Sequence, residues 1–467
     1  MSISIPKRAP SRAPDPAGSP GTASTFRALM LRLHFYAGIL VAPFILVATI
    51  SGGLYAAALT IEQFAYRDYL HVESTGEPIP VAQQVTAAQR GQPDLPLAGV
   101  RPAPGPGDTT QVLFTDPTLG EEERLAVFID PATGAALGES AVYGADNALP
   151  VRAWISQLHK DLNLGEPGHV YIELAAVWLW VIALGGIYLW VSRYLRARRR
   201  NTSTSRLLTP ELAAKGRRRA LSWHGAVGLW IGLGLLLISA TGLTWAYAEE
   251  NAGAVREELS LTTPSITKSL SPTADTPSTQ PEGTAVSDID SVLAIARKHG
   301  VDGAVEASIP ATADTAFTVT QTRESWVFST DTIAIDGETG TVTDTVRFAD
   351  WPLAAKLTSW GVQLHSGLLF GLANQLALLA LTVALMTVIV RGYLMWWHRR
   401  PTRGSQWAVG RPPARGSVRR LRAWHLAVGA AVVGTIGWFV PPLVVSLLAF
   451  VLIDAMIGAY RRSRVEA

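Results

Sequence analysis

Two histidines stand at matched places in two similar stretches of the chain. Shifting the sequence by 190 positions places His34 on His224 and Gly38 on Gly228. Residues four apart lie on one face of a helix, so each histidine is expected above a slot lined by small and aliphatic side chains. Glycine lets a flat cofactor approach the backbone, and imidazole is an axial ligand for iron in a macrocycle. The pattern predicts that His34 and His224, the first pair, ligate one haem iron from opposite faces.

A second matched pair follows later in the two halves. Under a shift of 206 positions, His159 falls on His365, and each comes directly after Gln-Leu and six residues before a glycine. Both precede an apolar span, so the same argument predicts that this second pair holds a second haem iron. His169 is the substitute ligand if either member fails, although its repeat counterpart is Gln375, whose amide is a poor ligand for iron.

A simpler interpretation needs no cofactor. The glycines could pack helix against helix, with each histidine as a polar residue at a helix end. For a single histidine this interpretation is favoured, but anchoring at an interface does not require the same residue in both halves. The other histidines lack a repeat partner or ligand spacing, and we interpret them as interface or surface residues: His71, His299, His398 and His425.

The composition indicates membrane helices combined with soluble pieces. Of 467 residues, 48% are apolar and 16% are charged, and many of the 15 tryptophans stand beside long apolar runs, as at membrane interfaces. The absence of cysteine excludes disulfides, thiolate metal sites, iron–sulfur clusters and covalently attached haem. The net charge of +3 is small and the basic residues are bunched in a few loops, so no nucleic-acid partner is expected.

The elements that must position the histidines are apolar spans of roughly 20 residues or more, long enough to cross a bilayer. The last segment could be two short spans or a kinked, re-entrant one, because Pro441 and Pro442 interrupt the backbone ladder. The predicted spans are 26–58, 169–196, 221–248 and 371–398, followed by a C-terminal helical hairpin at 421–460.

The distribution of basic residues predicts the orientation. Arginine and lysine crowd the loops 197–220 and 399–420. The positive-inside rule places both loops in the cytoplasm, together with the N-terminus, whose residues 1–25 are expected to form a disordered tail. The inserts 59–168 and 249–370 then face the outside.

Each insert is expected to be a small α+β module. An Asp-x-x-Thr-Gly turn at Asp130 recurs at Asp336 in the second half. A Ser/Thr/Pro-rich stretch near 259–285, interpreted as a flexible linker, can absorb the difference between the two repeat shifts. We therefore predict a duplicated helix–insert–helix unit whose pseudo-twofold axis follows the membrane normal. The strand-like runs are Gln111–Thr115, Leu125–Ile129, Ala316–Thr320 and Trp326–Ile335.

Taken in order, these motifs resemble those of the PepSY-associated transmembrane family over about residues 26–460. The family consists of iron-regulated membrane proteins in which histidine-bearing helix pairs flank PepSY modules, and some members act as ferri-siderophore reductases. His398 is a departure, since proline is expected after the Trp pair. The resemblance rests on Leu33-His34 with Gly38, Leu158-His159, Trp223-His224 with Gly228, Leu364-His365 with Gly367, Trp396-Trp397 and the two Asp-x-x-Thr-Gly turns.

The resemblance implies a fold and a function. It implies a polytopic α-helical protein of the bacterial cytoplasmic membrane, surrounded by lipid, with two extracytoplasmic PepSY-like α+β modules. Two b-type haems would pass electrons outward to ferric iron in a chelate such as a siderophore. No G-x-G-x-x-G motif follows a predicted strand, so the electrons must come from a quinol or a separate cytoplasmic reductase. Two alternatives stay open: a haem-free siderophore or iron transport component, and a peptide-binding signalling membrane protein.

Overall fold

The computed structural model describes residues 22–74, 76–201, 205–250, 264–270, 289–312, 314–398, 423–439 and 441–466. Most of the predicted tail at 1–25 and the basic loop 399–420 lie outside these residues. Most of the predicted linker at 259–285 also lies outside them, but its residues 264–270 are held against the rest of the second insert, where Ser269 bridges to Thr315. This part of the linker is therefore fixed by backbone contacts.

The described residues form helices and one antiparallel sheet. The helices are α1 (Thr22–Leu40), α2 (Ala42–Ala56), α3 (Ala58–Ala65), α4 (Arg67–Leu70), α5 (Val81–Gly91), α6 (Pro150–Asp161), α7 (Glu166–Arg199), α8 (Ser205–Leu208), α9 (Gly216–Glu250), α10 (Ile289–Lys298), α11 (Leu353–His365), α12 (Gly371–Trp397), α13 (Ala423–Phe439) and α14 (Pro441–Glu466). The strands are β1 (Leu97–Arg101), β2 (Thr110–Phe114), β3 (Glu123–Ile129), β4 (Ala136–Tyr143), β5 (Val305–Ser308), β6 (Phe317–Gln321), β7 (Thr332–Ile335) and β8 (Val342–Val346).

Three helices of the described residues have the length and apolar composition needed to cross a membrane. They are α7, α9 up to Gly242, and α12, and α1 with α2 adds a fourth if the bent pair is one span. The shortest of the three has 27 residues, which at 1.5 Å per residue reach about 40 Å, more than the hydrocarbon thickness. The apolar helix Pro441–Ile457 is shorter, and the C-terminal hairpin stays a prediction.

The spanning helices pack as a bundle in which the α1–α2 pair and α9 lie diagonally opposite each other. Each of these two contacts both α7 and α12. The centre of the bundle is closed by aliphatic side chains from all four corners, which keeps water out of the space between the two ends. The buried members of this core are Ala42, Ile45, Ala175, Leu235, Leu385 and Ile389.

The first span is broken by a bend of 60° between α1 and α2. The cause is Pro43, which has no N–H to donate to the carbonyl four residues earlier and whose ring crowds it. That carbonyl belongs to Ile39, and it accepts a hydrogen bond of 2.9 Å from the Tyr393 hydroxyl of α12. A backbone group in an apolar bundle must be satisfied by protein, so Tyr393 compensates for the bond that Pro43 removes.

The two inserts build a single eight-stranded sheet in the order β4-β3-β2-β1-β5-β6-β7-β8. The order is symmetric about the β1–β5 junction, where Gly99 pairs with Ser308 and Val100 with Ala307. The sequence predicts two separate modules, whereas the structure joins them. The physical reason is that β1 and β5 would otherwise leave two open edges, and an open strand edge presents unpaired backbone groups.

An ion-pair cluster reinforces the junction between the two inserts. Glu306 of β5 is mostly buried and lies between Arg101 of β1 and Arg124 of β3, with Arg124 Nη1 2.7 Å from its carboxylate. Burial alone would raise the pKa of Glu306, but the two guanidinium groups reverse this effect and hold the pKa below its usual value. The carboxylate is therefore ionised at neutral pH, and it ties strands of the first insert to the second.

The Asp-x-x-Thr-Gly turns occupy equivalent positions. One connects β3 to β4 and the other connects β7 to β8. In both, the glycine N–H donates to the aspartate carbonyl at 2.9 Å, from Gly134 to Asp130 and from Gly340 to Asp336. Both glycines have a positive φ, of +72° and +68°, a conformation that a side chain disfavours. Helices α5 and α10 cover one face of the sheet, over a shared apolar core.

The predicted strand Trp326–Ile335 is wrong in its first half, because β7 begins only at Thr332. Trp326 has a φ of +69°, which is incompatible with a strand. Its N–H donates to the Leu369 carbonyl and its ring meets the Phe370 ring edge-on at 5.2 Å. The β6–β7 loop is therefore docked on the turn between α11 and α12.

We expect Tyr393→Phe to lower the free energy of unfolding by about 1–3 kcal/mol, because the Ile39 carbonyl would lose its partner in an apolar setting. In a Pro43→Leu background, residue 43 regains an N–H and can serve that carbonyl itself, so the same change should cost much less. Equilibrium unfolding in mixed micelles measures the free energy of unfolding of the unaltered protein, the two single variants and the double variant, which together form a double-mutant cycle. Equal costs in the two backgrounds would show that Tyr393 does not compensate for Pro43.

Candidate functional site

The first pair lies inside the bundle, at the end opposite the sheet. His34 is carried by α1 and His224 by α9, the two diagonal corners, so their rings meet across the bundle centre. The ring centroids are 6.0 Å apart and the ring planes are inclined by 73°. The repeat pairs these residues in the sequence, and the fold makes them neighbours.

The second pair lies at the sheet end of the bundle, on the short helices α6 and α11 that precede α7 and α12. The ring centroids of His159 and His365 are again 6.0 Å apart, with the planes inclined by only 28°. The two helices bring them together because α6 packs on α2 and α11 packs on α9. The same separation thus recurs at both ends.

The Nδ1 atom of each first-pair ring is bonded to a backbone carbonyl. His34 Nδ1 lies 3.0 Å from the carbonyl oxygen of Ile182 in α7, and His224 Nδ1 lies 2.8 Å from that of Val388 in α12. A carbonyl only accepts, so each Nδ1 carries the proton. The lone pair is then on Nε2, the form in which imidazole binds a metal.

The second pair uses hydroxyl and carbonyl acceptors in the same way. His159 Nδ1 lies 3.0 Å from the Ser51 hydroxyl oxygen, and the Ser51 hydroxyl donates to the Ala48 carbonyl, which leaves its oxygen to accept. His365 Nδ1 lies 2.9 Å from the Ile238 carbonyl oxygen. In the part of the chain that the structure describes, none of the four Nε2 atoms has a hydrogen-bond partner.

Glycines seat all four rings against neighbouring helices. A Cβ at Gly52 would lie 2.9 Å from Cε1 of His159, and one at Gly242 would lie 3.0 Å from Cε1 of His365. Cβ atoms at Gly186 and Gly392 would likewise approach the rings of the first pair, at 3.1 and 3.5 Å. Each imidazole therefore rests directly on a helix backbone that has no side chain at that point.

The two pairs are far apart and lie in apolar surroundings. His224 and Gly242, which touches the second pair, are separated along α9 by eighteen residues, or about 27 Å of helix. Burial lowers the pKa of the His159 imidazole, with His365 as a smaller contribution, and burial also lowers the pKa of His365. Both shifts favour the neutral imidazole, which is the form that metal ligation requires.

The donor set decides which kind of metal group fits. No cluster of three or more His, Asp or Glu residues is arranged around a metal position in the described parts of the chain. Two imidazoles alone complete no ordinary zinc or iron site, which needs four or more ligands. A metal–imidazole bond is about 2 Å long, so two axial imidazoles on one ion have ring centroids roughly 6 Å apart, as in both pairs. The donors therefore fit a group that brings its own equatorial ligands.

The helix surface beside the first pair is open at one glycine. Gly38 stands one turn from His34 on α1, and a Cβ added there would meet nothing within 4 Å. Beside the second pair, the Tyr55 ring stacks on the His159 ring with centroids 5.8 Å apart. The space directly above the Gly38 backbone is therefore open on the face of α1 that carries His34.

A buried carboxylate positions the helix that carries His159. Glu62 of α3 accepts hydrogen bonds from the Leu149 N–H at 2.7 Å and from Arg152 Nε at 2.9 Å. Leu149 caps the start of α6, where an anion also interacts favourably with the helix dipole. Glu62 and Arg152 have no counterpart at the matching positions of the second half, Ala252 and Thr358, so the repeat could not have revealed them.

The substitute ligand His169 does not join the second pair. It lies in the first turn of α7, partly exposed, and makes no ring contact with any described residue. Its repeat counterpart Gln375 is buried and accepts a 2.7 Å hydrogen bond from Thr60. His71 lies 3.4 Å from Asp108 on the surface. His299 and His398 are exposed, and the side chain of His425 lies outside the described part of the chain.

The sequence reasoning missed the groups that hold the rings. The acceptors Ser51 and Thr241 stand at matched positions of the repeat, and Thr241 Oγ1 lies 3.1 Å from His365 Nδ1. The glycines Gly186 and Gly392 match as well, as do the carbonyls of Ile182 and Val388. A search for every residue conserved in type between the two halves could have found the hydroxyl pair and the glycine pair.

Comparison with models of known protein families assigns the chain to one of them. It matches the family model described as the PepSY-associated TM region over residues 31–399. The match covers well over half of the chain, so the protein belongs to this family, as the resemblance predicts. The family and the apolar helices together make it a multi-pass membrane protein. No curated protein matches the chain.

We expect Gly52→Ala to lower the melting temperature, because the new Cβ forces the buried His159 ring away from its Ser51 acceptor. The matched control is Gly429→Ala on α13, where an added Cβ meets nothing within 4 Å. There the better helix propensity of alanine should stabilise by up to about 1 kcal/mol. Thermal unfolding followed by near-UV circular dichroism compares the two. A rise in melting temperature for both variants would contradict the tight seat of His159.

Proposed function

We propose that this protein is a b-type haem reductase that passes electrons across the membrane to ferric iron in a chelate such as a siderophore. The single observation that carries the proposal is the presence of two histidine pairs. In each pair the ring centroids are 6.0 Å apart, and the Nε2 atoms have no hydrogen-bond partner in the described chain. Ferrous iron is softer than ferric iron and binds hard oxygen ligands more weakly, so reduction would release it from the chelate.

The haems would be held by the first pair, His34 with His224, and by the second pair, His159 with His365. A haem bound there would supply one-electron redox chemistry, which no side chain of this cysteine-free chain offers. The chain's own residues set the conditions for that chemistry. The Nδ1–H bonds fix the tautomer and raise the basicity of each ligand. The aliphatic core between the pairs excludes water. Two haem sites, one at each pair, would shorten the distance that an electron must cover in a single transfer.

We further propose that the two halves arose by duplication. The evidence that supports this is the symmetric strand order, the equivalent turns at Asp130 and Asp336, and the matched acceptors of the four rings. Both halves then run parallel, and their pseudo-twofold axis follows the membrane normal. Such an axis brings each residue of one half opposite its counterpart, which is why each pair consists of repeat-matched histidines.

A haem-free transport component and a peptide-binding signalling protein are the competing functions. Neither explains why four partly buried imidazoles share one tautomer, lie in pairs with ring centroids 6.0 Å apart and leave Nε2 unbonded within the described chain. A transport path would be lined by polar groups and water rather than by the aliphatic core at the bundle centre. A peptide-binding module places its specificity in the inserts and requires no histidines within the bundle.

We propose that the basic loops are cytoplasmic and that the sheet lies outside the cytoplasm. Single cysteines test this cleanly, because the chain has none of its own. On intact spheroplasts, a membrane-impermeant maleimide should label Ala135→Cys and Glu338→Cys, which are exposed turn positions in the sheet. The control Ala213→Cys, in the loop between α8 and α9, should be labelled only after lysis. The reverse pattern would invert the orientation.

Substitution of the ligands tests the haem assignment. We expect His34→Ala or His224→Ala to remove one low-spin haem, leave the other in the spectrum, and stop reduction of an external ferric chelate. His159→Ala or His365→Ala should remove the other haem instead. Haem content by the pyridine haemochrome method and reduced-minus-oxidised spectra measure both effects. His169→Ala is the control and should keep both haems.

Two results would contradict the proposal. If all four ligand variants keep the haem content and the reduced spectrum, the ligands are wrong. If the unaltered protein carries no haem when it is expressed with ample haem supply, the reductase proposal fails and the transport and signalling alternatives take its place.

A further inference from the structure

An apolar crevice of about 420 Å³ runs between α9 and α12. Its walls include Trp223 and Val227 of α9 and Ala380, Ala384 and Thr387 of α12. The α12 members recur every three or four residues, so they form one stripe along the helix. These helices belong to the membrane-spanning bundle, and the crevice opens at its side. An occupant must therefore be soluble in lipid.

The corresponding place in the first half is filled. The repeat puts Trp178 of α7 where the second half has Ala384. Trp178 is 5% exposed, its indole N–H donates to the Ser446 hydroxyl of α14 at 3.0 Å, and its ring contacts that of Phe450. An indole and a covering helix thus occupy one half, whereas an alanine leaves the crevice in the other. The opening at Ala384 is therefore filled at the matched position of the first half.

The crevice borders the first pair on both walls. Trp223 directly precedes His224 in α9, and Thr387 directly precedes Val388, whose carbonyl holds His224. A molecule in the crevice is therefore separated from the His224 site by no more than the two helix backbones. On α9 the crevice residues Trp223 and Val227 lie at the end nearer the first pair, and Val227 is fifteen residues, or about 22 Å of helix, from Gly242, which touches the second pair.

Trp223, which lines the crevice, associates that end with two polar groups, its own indole N–H and the guanidinium of Arg391. The indole Nε1 of Trp223 is buried and has no hydrogen-bond partner in the described chain. Arg391, which continues the stripe of Ala384 and Thr387 on α12, places its guanidinium 5.6 Å from the centroid of the Trp223 ring. A cation within a spanning helix is costly and usually functional. An apolar slot that ends in hydrogen-bond donors fits a molecule with an apolar tail and a ring bearing oxygens.

We propose that this crevice binds a membrane quinol, the electron donor of the reductase. The inference rests on the proposed function and supplies its reductant. One quinol loses two electrons and two protons and becomes the quinone, while two ferric ions in chelates each gain one electron. Trp223 and Arg391 bind the ring oxygens, and the alanines of α12 accept the flat ring and the start of its tail.

A kinetic experiment tests the site with a variant in which an indole fills the crevice, as Trp178 fills the matched position of the first half. The Ala384→Trp variant, in lipid nanodiscs, is mixed anaerobically with decylubiquinol or menadiol, and haem reduction is followed by stopped-flow absorption. We expect reduction by quinol to slow at least tenfold, with an unchanged spectrum and an unchanged rate with dithionite. The control Leu184→Trp adds the same ring at a half-exposed site on α7 and should behave like the unaltered protein. Equal rates for both variants would overturn the site.

Photolabelling provides a readout that needs no turnover. A short-chain azidoquinone should label peptides containing residues 223–227 or 379–387, and Ala384→Trp should abolish the label. Excess decylubiquinone should compete, whereas excess phospholipid should not. Competition by phospholipid alone would show a lipid slot and overturn the proposal.

The two readouts separate this inference from the proposed function. A protein without haem that still takes the azidoquinone label would support the quinone site and overturn the reductase. A haem protein that takes no label and is reduced by dithionite but not by quinol would overturn the quinone site and leave the reductase standing.

Discussion

The hydrogen bond from each histidine Nδ1 is the interaction on which the bundle depends. A buried polar group without a partner costs about 1–3 kcal/mol, and four imidazoles lie inside or beside apolar helices. Carbonyls of Ile182, Val388 and Ile238 and the Ser51 hydroxyl accept these protons. Because each acceptor sits on a helix other than the one that carries its histidine, the same bonds also fix how the helices pack.

That requirement explains the glycines. An imidazole can reach a backbone carbonyl of a neighbouring helix only if the ring lies almost on that backbone, so the helix must lack a side chain at that point. Gly52, Gly186, Gly242 and Gly392 provide these bare surfaces. Helix propensity disfavours glycine by about 1 kcal/mol relative to alanine. The close ring contacts and their hydrogen bonds offset this cost, and they hold the two rings of each pair with their centroids 6.0 Å apart.

The repeat made the pairs predictable, but it could reveal only what both halves share. It predicts which histidines become neighbours, and the turns at Asp130 and Asp336 follow from it as well. The joined sheet was not predictable from the repeat. Its ion-pair cluster joins Glu306 of the second half to Arg101 and Arg124 of the first, and none of the three has a residue of the same type at its repeat-matched position. The sequence predicts a strand at the Trp326 loop because its apolar residues carry no local sign of the positive φ that its docking imposes. Ligation itself stays a prediction.

The departures from symmetry are as informative as the symmetry. Pro43 bends one span where the matched residue, Leu233, lies within the continuous helix α9, and Tyr393, whose own counterpart is Ile187, supplies the missing donor. A change in one half is therefore balanced by a change in the other. Trp178 and Ala384 form a second unequal pair, in which one side is packed and the other open. Two identical halves could hold two like groups but would offer the same surface twice. Because the halves are unequal, the α9–α12 side has an opening that the packed Trp178 side lacks, and a lipid-soluble molecule can approach the first pair from that side.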